Sequence, residues 1–320
     1  MCRLVYYSIF LPPSDPRPDL LRQLLSSVHT LREHNRTVPV VVFAHGDLPA
    51  ELAPALAQYQ VRIHSQGPYP ARLARLCPAG WKVLQHYPLL HKFLNFAEIA
   101  ALGPRQVLFL DCDTLFFGDV DRLFSRYTNA HCHAREEPTC GRSHYGYDPG
   151  YLDEDALARL AGSVGVRSPP PFNLGVVLFN HGVWNALARL DAALVSYAWR
   201  LLAWLALHPC ERRTALYGEG VPVRLLRQQL NGRTAPAGIH AALPYPSANE
   251  WILDQVALWL TLGHVPDLTY GDFSPREVLQ NGEFLSSHAS ESDWVLCHYF
   301  SQNTPRLEQW LRGSSPASPR

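Results

Sequence analysis

Apolar strands and amphipathic helices alternate along the first hundred residues of the chain. Residues 4–10 are rich in strand-forming residues and end at Pro12-Pro13, because proline has no N–H to donate to a strand ladder. Apolar residues recur at helical spacing over 19–32, which predicts one amphipathic helix. Residues 38–44 are apolar throughout, as is typical of a strand in a parallel sheet that is covered on both faces. This strand–helix–strand order predicts a doubly wound α/β sheet.

The same alternation continues through the rest of the chain. Gly103-Pro104 ends a helical pattern over residues 88–102, because glycine and proline commonly follow the last turn of a helix. The apolar residues 107–110 then predict a buried central strand. Periodicity also predicts a helix at 49–57, a strand at 61–64, a strand at 172–180, a helix at 184–207, a helix at 249–262, a strand at 294–300 and a helix at 305–311.

Two long segments lack a regular pattern. Residues 127–171 are rich in His, Gly, Tyr and Pro, and residues 212–248 form a second irregular stretch. Loops of this length within a compact domain are commonly lids or binding loops. We therefore predict one α/β domain, with a mostly parallel central sheet, helices on both faces and these two segments as insertions. The predicted divisions are a domain over 1–312 with halves at 1–124 and 125–312, and a disordered polar tail at 313–320.

Composition and charge exclude several classes of protein. The 28 basic and 28 acidic residues cancel, and no basic face is evident, so we expect no nucleic-acid partner. The most apolar segment, 184–207, is interrupted by Arg189, Asp191 and Arg200, which favours a helix within the protein over a transmembrane segment. Residues 3–10 are too few and too polar for a signal peptide. We expect a cytoplasmic protein.

The seven cysteines predict neither a disulfide framework nor a zinc site. Their spacing is irregular and includes no C-x-x-C pair. Cys112 and Cys297 fall in apolar runs, as buried free thiols often do. The His-Cys-His segment at 131–133, with Cys140, resembles part of a soft-metal cluster. A solvated loop is the preferred interpretation, because the spacing of a fourth ligand is missing.

Asp111 and Asp113 directly follow the strand predicted at 107–110 and are the main candidates for chemistry. The rim beyond the strand ends is where open α/β sheets bind ligands. Residues i and i+2 of an extended chain share one face, so both carboxylates can reach one divalent cation. For an isolated acidic pair, a polar strand end or a helix cap is the ordinary alternative.

Glycine-rich phosphate loops are missing from the sequence. No G-x-G-x-x-G follows the first strand, and G-x-x-x-x-G-K-[ST] does not occur. If this chain binds phosphates, a metal ion and a few cationic side chains must do so.

Four further elements extend the candidate site. Lys92, one of only two lysines, lies before the acidic strand, and Asn173 and Gly175 open the strand at 172–180. An Asp-Gln pair at 254–255 lies in a helical pattern, and His298 lies among apolar residues near the end. Taken singly, each has an ordinary explanation: a surface lysine, a buried strand, a polar helix face and a core histidine.

The joint order of these elements resembles glycosyltransferase family 8 and its relatives with the GT-A fold. Residues 107–124 match the family pattern of an apolar strand, D-x-D-T, an apolar pair and G-D-[LV]-x-x-L-F. Lys92 falls where the family has a basic residue, and residues 172–175 resemble its F-N-[SA]-G segment. The pair at 254–255 resembles the family's D-Q pair, and His298 its late metal-binding histidine.

The resemblance implies specific roles. Asp111, Asp113 and His298 are the implied ligands of Mn²⁺ or Mg²⁺, and two oxygens with one nitrogen suit Mn²⁺. Lys92 is expected to stabilise a diphosphate as a point charge. The expected catalytic residues are Asp254 and Gln255. The residues expected to contact the donor are Tyr7, Ser8, Lys92, Asp111, Cys112, Asn173 and Gly175.

The expected function is therefore metal-dependent glycosyl transfer. The donor is a nucleotide-sugar, by the resemblance a UDP-hexose, the acceptor is a glycan, lipid or protein, and family membership implies retention of anomeric configuration. A non-catalytic domain of the same fold, which binds the donor without turnover, is one alternative. A phosphatase of the haloacid dehalogenase type is another, but it requires Thr or Val where this chain has Leu115.

Overall fold

A computed structural model of the chain describes residues 3–11, 17–136, 154–167, 172–207, 220–230, 253–280 and 293–299, together with residues 283 and 304. Within these residues the strands are β1 (Arg3–Leu11), β2 (Val40–Gly46), β3 (Val61–Ser65), β4 (Gln106–Leu110), β5 (Thr114–Phe116), β6 (Cys132–Glu136), β7 (Phe172–Phe179), β8 (Tyr270–Asp272), β9 (Val278–Gln280) and β10 (Leu296–His298). The helices are α1 (Pro18–His34), α2 (Leu52–Gln58), α3 (Tyr69–Leu76), α4 (Trp81–Leu84), α5 (Phe96–Leu102), α6 (Asp121–Arg126), α7 (Glu154–Ser163), α8 (Val183–Leu187), α9 (Asp191–Leu207), α10 (Val221–Leu230) and α11 (Leu253–Leu262). Pro88–Phe93 forms a separate 3-10 helix.

Seven of these strands form the central sheet, in the order β3-β2-β1-β4-β7-β6-β8. Strands β1 to β4 pair in parallel, and β6 and β8 also pair in parallel. β7 runs antiparallel to both of its neighbours, β4 and β6. The predicted α/β architecture with a mostly parallel sheet is confirmed, and the reversed strand β7 was not predicted.

Alternate residues of the central strands pack into two hydrophobic cores, one on each face of the sheet. In β1, Leu4 and Tyr6 belong to one core, and Val5 and Tyr7 to the other. Helices α9 and α11 contribute to the first core, and α1 packs its apolar face into the second. Burial of both faces explains why β4 and β7 are apolar along almost their whole length, as is typical of strands that are covered on both faces.

A second, three-stranded sheet lies beside the first, in the order β5-β10-β9. β10 runs antiparallel to β5 and parallel to β9. The chain enters β10 at a fixed point, because the Glu277 carbonyl accepts hydrogen bonds from the amides of Val295 (2.8 Å) and Leu296 (3.1 Å). The buried Glu277 carboxylate is itself anchored by the Tyr127 hydroxyl (2.5 Å) and by Arg126 (3.1 Å).

Two predicted helices are each divided in the structure. The pattern over 88–102 forms the 3-10 helix Pro88–Phe93 and then α5, with Asn95 as the residue before α5. The segment predicted as one helix at 184–207 forms α8 and α9. Helical periodicity alone did not reveal these breaks, since the apolar spacing continues across them. No helix in the described ranges is both long enough and apolar enough to span a bilayer.

The predicted irregular segments contain regular structure. Segment 127–171 includes β6 and α7, and segment 212–248 includes α10. The prediction of a solvated loop around Cys132 is wrong, because this residue is buried in β6. Three predicted features lie wholly or partly outside the described residues: the start of the helix at 249–262, the helix at 305–311 and the tail at 313–320.

Candidate metal centre and its surroundings

Asp111, Asp113 and His298 come together beyond the carboxyl end of β4. One potential ligand atom from each lies within 4.8 Å of the other two. The His298 Nε2 atom is 3.3 Å from Asp113 Oδ1 and 3.8 Å from Asp111 Oδ2. The two carboxylates are partly exposed, so positions around a bound cation would remain open to a ligand. Two hard oxygens with one imidazole nitrogen fit Mn²⁺ or Mg²⁺, and the nitrogen favours Mn²⁺.

Backbone hydrogen bonds bring these three side chains together. Cys112 and Asp113 form a bend between β4 and β5, and the two carboxylates converge across this bend. The prediction that they share one face of an extended strand is wrong. Antiparallel pairing places His298 opposite Thr114. The Tyr299 amide also donates to the Asp113 carbonyl at 3.1 Å. Asp113 and His298 are therefore neighbours because two short strands pair.

Gly175 lies directly beneath the His298 ring. A Cβ atom added to Gly175 would overlap three atoms of that imidazole ring. The Gly175 carbonyl accepts the Asp111 amide at 2.7 Å. A glycine that permits close approach was predicted here, but the group that approaches its backbone is a histidine of the same chain.

Lys92 is the cation beside the acidic pair. Its ammonium lies 2.9 Å from Asp111 Oδ1 and 3.9 Å from Asp254 Oδ2. Burial acts to lower the pKa of Lys92, but the attraction of Asp111 and Asp254 outweighs it and holds that pKa above its usual value. The lysine is therefore charged, and it lies between the candidate metal centre and a second carboxylate.

Asp254 is the second carboxylate, and it is buried at the start of α11. Burial raises its pKa from the ordinary 3.8 to about 6, and the negative Asp111 adds to the rise while Lys92 opposes it. The Tyr87 hydroxyl donates to Asp254 Oδ1 at 3.3 Å and accepts from the Asp254 amide at 3.0 Å. Sequence patterns do not reveal Tyr87, because an isolated tyrosine before a 3-10 helix follows no pattern.

Gln255 and Asn173 bind the backbone of β7. Gln255 Oε1 accepts the amide of Leu174 at 2.8 Å, which links α11 to β7. Asn173 Oδ1 accepts the amide of Gly175 at 2.8 Å. Both side chains thus lie at the end of β7 where Gly175 meets His298, close to the predicted site.

Three other predicted donor contacts have buried side chains, and two of these side chains have hydroxyl groups that contact other residues of the protein. The buried Tyr7 hydroxyl is 2.9 Å from Ser27 Oγ of α1, and the Cys112 side chain lies in the same hydrophobic core as Tyr7. Burial raises the pKa of the Cys112 thiol, so this group is neutral. Ser8 Oγ is 2.7 Å from His91 Nδ1.

A buried polar network next to Lys92 was not predicted. Asn95 Nδ2 donates to Ser8 Oγ at 3.0 Å, and Asn95 Oδ1 is 3.1 Å from His45 Nε2. Burial lowers the pKa of His45 to about 4 and holds that of His91 well below its usual value, so both rings are neutral at pH 7. Two sequence signals associate this network with the site: His91 adjoins Lys92 in the 3-10 helix, and Ser8 was predicted to contact the donor.

The histidine-cysteine segment at 131–133 forms no metal site with the described part of the chain. His133 Nε2 is 2.9 Å from Asn129 Oδ1, and burial lowers the pKa of His133 to about 4. His131 Nδ1 is 2.8 Å from Thr269 Oγ1. These side chains join β6 to neighbouring loops, and Cys140 lies outside the described residues.

Two solved structures share this architecture. The WbbM bifunctional glycosyltransferase, in its apo form, aligns with 12% identity and a TM-score of 0.51, over 95% of this chain and 46% of its own. An active-site mutant of LgtC aligns with 13% identity and a TM-score of 0.50, over 99% of this chain and 98% of its own. The chain has a glycosyltransferase fold.

The comparison with solved structures shows the fold, and comparisons of the sequence add no family. No protein-family model matches the sequence, and no curated protein does. This chain spans 46% of WbbM, so that bifunctional protein has a large part with no counterpart here. The predicted fold class is confirmed, while membership of family 8 stays a prediction.

Proposed function

We propose that this chain is a metal-dependent glycosyltransferase that moves a hexosyl group from a nucleotide-sugar to an acceptor. The observation that carries the proposal is the group formed by Asp111, Asp113 and His298, with Lys92 2.9 Å from Asp111, at the rim of a glycosyltransferase fold. A UDP-sugar donor and retention of configuration follow from the resemblance to family 8. The acceptor is a glycan, a lipid or a protein.

The chemistry asked of this site is the departure of a nucleoside diphosphate. Mn²⁺ or Mg²⁺, held by Asp111, Asp113 and His298, would act as a Lewis acid on the phosphate oxygens. The Lys92 ammonium would bind the same oxygens as a point charge, exchanging part of its pairing with Asp111 for the diphosphate. Both effects offset the negative charge that develops on the leaving group.

Asp254 is suited to the other half of the reaction. The sugar carbon acquires positive charge in an oxocarbenium-like transition state. Asp254 has a pKa of about 6, so at neutral pH it carries a negative charge close to the site without being a metal ligand. We assign it the orientation of the sugar and the stabilisation of that positive charge, with Gln255, Asn173 and Gly175 shaping the boundary between donor and acceptor.

We propose fewer donor-contacting residues than the sequence predicted. Lys92, Asp111 and Asn173 stay in the proposal, because their polar groups lie at or next to the rim. Ser8 stays only as a supporting residue behind Lys92, because its buried hydroxyl is bound to His91. Tyr7 and Cys112 are left out of direct contact, because both side chains are buried in the core on the α1 face of the sheet.

Donor turnover in the presence of Mn²⁺ tests this proposal. We expect the full chain to release nucleoside diphosphate from one member of a panel of nucleotide-sugars, and Asp113→Asn to reduce that release at least about 100-fold, as loss of a charge-stabilising group does. Asp267→Asn is a matched control. Asp267 is an exposed residue just before the edge strand β8, at the end of the sheet opposite to the carboxyl end of β4, and asparagine tolerates its positive φ of 52°.

Two results would contradict the proposal in different ways. Unchanged turnover in Asp113→Asn would exclude the metal role of this residue. Thermal stabilisation of the chain by a nucleotide-sugar and Mn²⁺, with no nucleoside diphosphate released on long incubation, would show a binding protein instead of an enzyme.

A further inference from the structure

We infer that Gly175 is a positioning residue for the metal centre: its missing side chain sets the place of His298, and its carbonyl sets the place of Asp111. This inference rests on the metal role proposed above and deepens it. Gly175 of β7 contacts both the segment that carries Asp111 and the segment that carries His298, and these two segments belong to different sheets.

The first observation is steric. The imidazole of His298 occupies the space that a Cβ atom on Gly175 would need, and its Cε1, Nδ1 and Nε2 atoms would all overlap that Cβ. All eight residues of β7 are buried in a closely packed interior, so the strand cannot readily shift away from the ring. Any side chain at position 175 must therefore displace the ring.

The second observation is the hydrogen bonding of Gly175. Its carbonyl accepts the amide of Asp111 at 2.7 Å, and its own amide donates to Asn173 Oδ1 at 2.8 Å. The peptide is thus fixed on both sides, and one of its partners is the first residue of the acidic pair. Gly175 therefore determines both how closely the His298 ring approaches β7 and where Asp111 lies at the end of β4.

The third observation removes the usual explanation for a glycine. Gly175 is not among the described residues with positive φ, so its backbone conformation is one that alanine adopts without strain. A requirement for glycine at this position is therefore one of space alone. The three atoms nearest to that space all belong to the His298 ring.

Displacement of the ring would act on the ligand geometry. His298 Nε2 lies 3.3 Å from Asp113 Oδ1 and 3.8 Å from Asp111 Oδ2. A metal ion requires its ligand atoms to be within a few tenths of an ångström of their places, about 0.2 Å by the usual criterion. A ring pushed outward by a methyl group would leave the two carboxylates as the only ligands at their proper distance.

Metal affinity of the full chain tests this inference without reference to turnover. We expect Gly175→Ala to weaken Mn²⁺ binding at least about 10-fold, as changes in the support of a metal ligand typically do, measured by calorimetry or by the electron paramagnetic resonance signal of free Mn²⁺. Gly162→Ala is the matched control, because nothing lies within 4 Å of the Cβ that it would add to α7. We expect that variant to bind Mn²⁺ like the unaltered protein.

A double variant separates displacement of the ring from damage to β7. His298→Ala removes the ring that the new methyl group would meet. If Gly175 acts through His298, adding Gly175→Ala to His298→Ala should change neither the residual Mn²⁺ affinity nor the melting temperature. This comparison also serves if Gly175→Ala alone fails to fold, because the double variant should then fold.

The outcomes distinguish this inference from the proposed function. Equal Mn²⁺ affinity in Gly175→Ala and the unaltered protein would overturn the inference alone. A double variant that is much less stable than His298→Ala would overturn it too, since the methyl group would then clash with something besides the ring. Failure of the unaltered protein to bind Mn²⁺ would contradict both the inference and the proposed metal role.

Discussion

At the scale of single residues, the buried carboxylate of Asp254 is costly to the fold. Its folded pKa of about 6 lies above the ordinary 3.8, because burial and the nearby Asp111 disfavour its charge more than Lys92 favours it. Between these two pH values the folded chain holds a proton that the unfolded chain releases. The contribution of this group to stability therefore falls as pH rises through the window from about 4 to about 6, and stays low above it.

Replacement of this carboxylate should stabilise the protein at neutral pH. Asp254→Asn keeps an oxygen for the Tyr87 hydroxyl but cannot ionise. Each unit of pKa shift corresponds to about 1.4 kcal/mol. We expect the free energy of unfolding of Asp254→Asn, relative to that of the unaltered protein, to be higher at pH 7.5 than at pH 4 by on the order of 1–3 kcal/mol. Urea titrations across this range, with a chelator present, measure the difference.

A stability difference that does not depend on pH would contradict this account of Asp254. Loss of donor turnover in the same variant, together with the gain in stability, would fit a residue kept for chemistry at the expense of the fold. The sequence predicted that Asp254 belongs to the site. It could not predict the raised pKa, because burial depends on Tyr87 and on the packing of α11, which no local pattern reveals.

At the scale of elements, β7 organises the site. Its amides are bound by side chains from two places: Leu174 by Gln255 of α11, and Gly175 by Asn173 within the strand. The apolar pattern over 172–180 predicted the strand correctly. It could not predict the antiparallel direction, because a strand buried on both faces has the same pattern in either direction.

Gln255 was predicted as a catalytic residue, and the structure gives it a second role that can be separated by mutation. Gln255→Leu would leave the amide of Leu174 without its acceptor, and an unpaired buried donor costs about 1–3 kcal/mol. Gln255→Glu keeps an acceptor oxygen and should lose less stability. Urea unfolding of the two variants measures this difference, and equal losses would show that the hydrogen bond does not stabilise β7.

Donor turnover in the same pair of variants then addresses catalysis. Both substitutions remove the side-chain NH₂ group of Gln255, which is the part left for the sugar once Oε1 binds Leu174. If both lose turnover while only Gln255→Leu loses stability, the residue has both roles. Retained turnover in Gln255→Glu would leave Gln255 with the structural role alone.

At the scale of the whole molecule, the sequence predicted what is local and missed what joins distant segments. The D-x-D pair, the strand before it and the helix α1 each follow from a short pattern. The three-stranded sheet β5-β10-β9 was not predicted as a unit, because its strands are only three residues each and lie far apart in the chain. His298 reached the candidate site by resemblance alone, and the pairing of β10 with β5 is the physical reason for its place.

The candidate metal centre lies where the two sheets meet, so a bound cation should link them. Asp111 follows β4 of the large sheet, while Asp113 directly precedes β5 and His298 ends β10 of the small one. A cation that binds only the folded arrangement stabilises it, by about 2.7 kcal/mol at a concentration 100-fold above its dissociation constant. We expect Mn²⁺ to raise the melting temperature and to slow amide exchange in β5 and β10, with little change in the distant strand β3. Chelation of Mn²⁺ should reverse both effects, and Asp113→Asn should abolish them. Amide exchange that is slowed equally in all strands would show instead that the cation stabilises the fold without acting at this junction.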